Sequence, residues 1–128
     1  MKKSIILDKY HINSLEISKD EISFKNIDDF VNYFKEKIEK HPIAQLISVF
    51  DHHSHTKSIE GEINEEIKDA KNVIFCFGSK IPNTKILAAR PRVIAIAELD
   101  EAFVVEFMDA PNEKMHCVME DWCKDMIN

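Results

Sequence analysis

Glycine and proline are scarce, at 2 and 4 in 128 residues, which excludes a collagen-like fibre and argues against a disordered linker. Cysteine is scarce too. Cys76, Cys117 and Cys123 are odd in number and show no Cys-x-x-Cys spacing, a poor disulfide framework that points to a reducing cytoplasm. No apolar run approaches a membrane span. Met1-Lys2-Lys3-Ser4 resembles the opening of a signal peptide, but the apolar run Ile5 to Leu7 ends at Asp8, too short for the apolar part of such a peptide. Basic charge is not in excess: 17 Lys and Arg against 23 Asp and Glu give −6, so neither nucleic acid nor an anionic membrane is an expected partner. Acidic residues are themselves missing between Asp69 and Glu98, where Lys71, Lys80, Lys85, Arg90 and Arg92 lie.

What is present is the composition of one globular domain, 45% hydrophobic and 31% charged. A single domain spanning 1–128 can bury about two-thirds of its unfolded surface in one core. Alternation over Tyr10 to Ser18 predicts a first strand, with Ile22 to Phe24 as a short pairing extension. Ile27, Phe30, Val31, Phe34 and Ile38 then fall at helical spacing behind the capping residue Asn26, and this helix stops at His41-Pro42. The run Ile43 to Phe50 predicts a strand that continues, extended, into Asp51 and the histidines. Ile59, Ile63, Ile67 and Ala70 predict a second amphipathic helix, and Val73 to Phe77, closed by Gly78, a central strand. Val93 to Leu99 and Ala102 to Met108 read as a hairpin. Pro111-Asn112 then introduces a last helix with Met115, Val118, Met119, Trp122 and Met126 on one face. The expected fold is an α+β two-layer sandwich: a mixed, mostly antiparallel sheet of about five strands, three helices on one side and a terminal hairpin. If Ile94, Ile96, Phe103, Val105 and Phe107 share the uncovered face, a homodimer is expected to bury it.

Two constellations carry chemistry. In an extended chain Asp51, His53 and His55 share one side, a carboxylate and two imidazoles of the kind that zinc or another divalent transition metal accepts. His52 shares the other side with Phe50 and points inward. The second is the acid-free stretch: a loop after a buried strand that carries Lys80, Lys85, Arg90 and Arg92 can hold a phosphate or carboxylate through forked contacts. Gly78 permits close backbone approach there, but the glycine spacing of a P-loop or dinucleotide fingerprint is missing. A Cys76–His52 nucleophile pair is conceivable. Against it, Cys76 lies within an apolar run, where a thiol is expected to be inert core, leaving Cys117 or Cys123 as the reactive thiols.

The middle of the chain, from about Ile47 to Pro111, resembles a small bacterial domain family known as domain of unknown function 302. The likeness lies in a strand ending in Asp51-His52, an apolar strand ending in Phe77-Gly78, a loop with Lys and Pro, and the hairpin Val93 to Met108 followed by Asp109-Ala110-Pro111. Two departures stand out: Ser79-Lys80 replaces the usual Asn-Pro after Phe-Gly, and the insert between His55 and Val73 is long. The resemblance implies an α+β fold and a dimer, and no known reaction. The leading expectation is a cytoplasmic, homodimeric, non-catalytic domain that binds or senses a small anionic ligand where Asp51, His52 and the loop after Gly78 meet. The alternatives are a metal-dependent enzyme using Asp51, His53 and His55, and a protein interaction module using the hairpin face.

Overall fold

The computed structural model describes residues 1–127. Six strands form one sheet: β1 (Lys2–Ile6), β2 (Tyr10–Ser18), β3 (Gln45–Phe50), β4 (Asp69–Cys76), β5 (Arg92–Glu98) and β6 (Ala102–Met108). Their order is β1-β2-β6-β5-β4-β3, and every pairing is antiparallel. The helices are α1 (Ile27–Lys40), α2 (His52–Ser58), α3 (Thr84–Ala88) and α4 (Glu113–Asp125). The α+β class and the hairpin are as the sequence indicates. Among the described residues the sheet has no parallel pair, and there are a sixth strand and a fourth helix beyond the expected number.

The two long helices form where side chains stop their ends and an apolar stripe demands burial. Asn26 accepts the Asp29 N–H at 3.1 Å and Asp29 accepts the Lys25 N–H at 2.8 Å, so both sides of the α1 entry are tied. Asn112 caps α4 in the same way through the Met115 N–H. Phe30, Phe34 and Ile38 of α1 and Met119, Trp122 and Cys123 of α4 are buried against Val73, Phe75, Ile94, Ile96, Phe103, Val105 and Phe107. Each buried Phe or Ile contributes about 1.5–3 kcal/mol.

Ile94, Ile96, Phe103, Val105 and Phe107 do share a face, but it is the covered one. The large apolar stripes of α1 and α4 select it. The opposite face carries the smaller alternates Val93, Ala95, Ala97 and Val104, all half-buried.

Three local expectations are corrected. The chain does not stay extended past Phe50: Asp51 turns it by accepting the Ser54 N–H at 2.9 Å, and His52, His53 and His55 lie on α2. Residues 59–68 are not helical. Glu60 adopts φ 57, and the Gly61 N–H closes back on the Thr56 carbonyl at 2.8 Å, ending α2. Ile59 is left 65% exposed, and Ala70 already belongs to β4. Ile22 to Phe24 pair with no strand; a short 3-10 turn at Lys19–Glu21 precedes them. The added strand β1 is joined to β2 through Leu7 and Asp8, both at positive φ, in the backbone geometry that tight hairpins favour.

Candidate functional site: a cationic cleft at one end of the sheet

β4 leaves the core at Phe77 and Gly78, and the chain returns into β5 at Arg92. Between them Asn83 caps the short α3 by accepting the Ile86 N–H at 3.0 Å, which turns Ile86 to one side of the loop. Facing this loop, β6 ends at Met108 and runs through Ala110-Pro111-Asn112 into α4. A cleft of about 290 Å³ opens between the two segments. Its apolar surface comes from Ile43, Phe77, Pro82, Ile86 and Met115, and its cations are Lys80, Arg90 and Arg92. Among the described residues, no acidic side chain lines it.

The cations are held differently. Arg92 is half-buried at the start of β5 and donates through Nη2 to the Met108 carbonyl, so it bridges the cleft's strand wall. Burial pulls its pKa down from the ordinary guanidinium value, while the Asp109 carboxylate acts in the opposite direction. Its Nε is buried and, among the described residues, has no partner. Arg90 lies over Gly78, where a Cβ would overlap the guanidinium. A side chain at position 78 would have to push the guanidinium aside, so glycine there permits the close approach. Among the described residues, Lys80, Arg90 and Arg92 form no ion pair. Behind the cleft, the buried Asn13 donates to Asp109 at 2.7 Å and to the Phe107 carbonyl at 3.3 Å. The Asn13 hydrogen bond holds the Asp109 carboxyl below its usual range, aided by Lys3, His116 and His11.

Of the anion-site residues read from the sequence, Lys80, Arg90 and Arg92 are brought together. Lys85 is exposed on α3 and does not line the cleft. Asp51 and His52 do not join them. The β3–β4 register sets Gln45 opposite Cys76 and Phe50 opposite Asn72, so Asp51 stands at the far end of β4 from Gly78, roughly 20 Å away at strand rise. Cys76 is likewise kept from His52, whose Nδ1 lies 3.4 Å from the Asn72 Oδ1, by the length of β4 from Asn72 to Cys76, roughly 13 Å at strand rise.

At that far end the charges are engaged with one another. Lys71 lies 2.6 Å from Asp28 and 3.9 Å from Asp51. The Ser54 backbone N–H, then the Ser54 side chain and Lys71, hold the Asp51 carboxyl below its usual range. His52 and His55, one helical turn apart on α2, both pack their rings toward Phe50 at 5.3 and 5.5 Å. Among the described residues, no group of three or more His, Cys, Asp or Glu side chains is placed to hold a metal ion. The strand geometry on which an Asp51, His53 and His55 set depended is replaced by a helix.

The thiols are also reordered. Cys123 is the buried one, and burial, with Glu120, pushes it up to about 12. Cys76 is half-buried at the end of β4, on the sheet face away from α1 and α4, and Cys117 is exposed. What sequence reasoning missed is the wall opposite the loop: Ala110, Pro111, Asn112 and Met115 belong to the cleft as well as to the α4 entry. The signal for it is Asp109-Ala110-Pro111, which follows the hairpin directly.

No helix among the described residues is long and apolar enough to cross a membrane. No curated protein matches the chain. A family model described as "Family of unknown function (DUF6858)" matches residues 1–128, so the partial likeness to domain of unknown function 302 gives way to a different uncharacterised family that spans the whole length.

Proposed function

The chain belongs to that family of unknown function, and we propose that it is a non-catalytic binding domain whose cleft takes a small anion with an apolar body. The observation that carries this reading is the combination of Lys80, Arg90 and Arg92 with an apolar surface and no lining carboxylate. Cations without a carboxylate partner around a concavity are an electrostatic cost to the free protein that an anionic head relieves, and Phe77, Ile86 and Met115 bury its tail. Calorimetric titration with hexanoate and with hexyl phosphate tests the reading. Binding of either, weakened in Arg92→Met, is the expected result; no binding of either at millimolar concentration refutes it.

We propose further that two copies associate through the sheet face that α1 and α4 leave open. Val93, Ala95, Ala97 and Val104 are half-buried there, and Phe50 and Met108 are exposed. A dimer mass is expected by sedimentation at tens of micromolar, and a monomer mass rejects the association.

A further inference from the structure

A second cleft lies on the other side of the same loop. It is lined by Ile47, Cys76, Ile81, Leu87 and Pro91, and it shares Gly78, Ser79, Lys80 and Arg90 with the first. Strand alternation explains the arrangement. Phe77 points to the helix side and opens into the first cleft, Cys76 points to the opposite side and opens into the second, and α3 sends Ile86 to one and Leu87 to the other. The shared wall is thin. Gly78 has no side chain, and the space its Cβ would take is filled by the Arg90 guanidinium.

We propose that Arg90, seated on Gly78, is the partition that limits ligand length, and that its displacement joins the two clefts into one groove around the end of β4. This inference rests on the anion-cleft reading above and adds a ligand class to it: an unbranched chain with one anionic head, whose head sits among Lys80, Arg90 and Arg92 and whose tail runs along Phe77 and Ile86. With the partition closed, the tail is confined to the helix-side cleft. With it open, the tail continues toward Ile47 and Leu87, both exposed apolar side chains. Arg90 is then a specificity-determining residue by position as well as a cation.

The test is a homologous series, butanoate, hexanoate, octanoate and decanoate, with the matched alkyl phosphates, titrated into the full chain. In the wild type, affinity rises about fourfold per methylene buried until the tail fills the first cleft, then levels off. Two variants move the partition in different ways. Gly78→Ala keeps all three cations but denies the guanidinium its seat; Arg90→Ala removes the partition and one charge. Both are expected to shift the plateau to longer chains, so that the decanoate-to-hexanoate affinity ratio rises roughly tenfold or more, about two further methylenes. Arg90→Ala also binds every member more weakly. The shift is a property of the tail and appears in both series. A wild type that shows the plateau while both variants leave it in place, or a shift in one series only, overturns the partition and leaves the cleft intact. A wild type that binds no member overturns the cleft reading and the partition with it. Circular dichroism of each variant confirms the fold, and Arg90→Ala, which leaves the backbone untouched, decides the matter alone if Gly78→Ala does not fold.

Discussion

The two ends of β4 are both rich in ionisable side chains, and they are built in opposite ways. At the Asn72 end, Lys71 is matched by Asp28 and Asp51, Asp51 is spent on capping α2, and His52 and His55 lean on Phe50. At the Gly78 end, Lys80, Arg90 and Arg92 face a concavity with apolar walls and no carboxylate among its lining residues. The first end uses its charges to close a helix and tie α1 to the sheet. The second holds cations that, among the described residues, no carboxylate pairs with. Density of titratable groups therefore does not by itself mark a candidate site; cations without a carboxylate partner around a cavity are the better pointer.

The comparison can be broken by mutation, beginning with the largest effect. Phe77 is 4% exposed, stacks on Trp122 at 5.3 Å and also lines the cleft. Phe77→Ala is expected to cost about 3–5 kcal/mol in urea unfolding. Phe50→Ala at the other end, where the ring is 38% exposed, should cost clearly less. Equal losses would erase the difference between an end fused to the core and an end laid on its edge.

Arg92→Met should weaken hexanoate or hexyl phosphate binding about ten- to a hundredfold, the range for a charged hydrogen bond, with thermal stabilisation by ligand reduced in step. Asp51→Ala should leave that binding unchanged and cost about 1 kcal/mol, the loss of an N-cap. If Asp51→Ala instead impaired binding as strongly as Arg92→Met, the two ends would have to act as one site.

Much of this contrast was legible in the sequence, and the part that was not has physical causes. α1, α4 and the β5–β6 hairpin announce themselves through Asn26, Asn112 and apolar periodicity, because local capping and burial agree there. The cationic loop is visible as the acid-free run between Asp69 and Glu98. α2 was hidden because Asp51-His52-His53-Ser54 continues an apolar strand, and the helix start shows only in the Ser54 N–H bond to the Asp51 carboxylate. The stretch 59–68 has helix-forming composition, yet Glu60 at positive φ and Gly61 end α2 before that preference can act. β1 depends on a turn through Leu7, a residue with no preference for positive φ. Grouping Asp51 and His52 with Lys80 failed for another reason: antiparallel register is set by pairing over the whole strand, and no local pattern reports it.

Smaller effects sharpen the picture. Burial raises the Cys123 thiol from 9.0 to about 12. Tyr33 is raised from 10.0 to about 12 by burial, then by Asp125 and Cys123. Both groups hold their protons more tightly in the folded state than in the unfolded one. Their contribution is therefore fully present below pH 9 and declines as pH climbs toward 12. Urea unfolding across alkaline pH should show that decline, and Cys123→Ala should make it shallower. Native alkylation should modify Cys117 first and Cys123 last; fast labelling of Cys123 would contradict its place in the core. The smallest change is expected for His53→Ala, within about 0.5 kcal/mol and with the same melting temperature in zinc as in chelator.

The central claim is that the Gly78 end binds and the Asn72 end does not. Residue-resolved NMR of the wild type during titration with hexyl phosphate tests it most directly. The account predicts saturable shifts of backbone amides in residues 77–92 and 110–115 and none in residues 51–58. Saturable shifts centred on residues 51–58, with residues 77–92 silent, would contradict it.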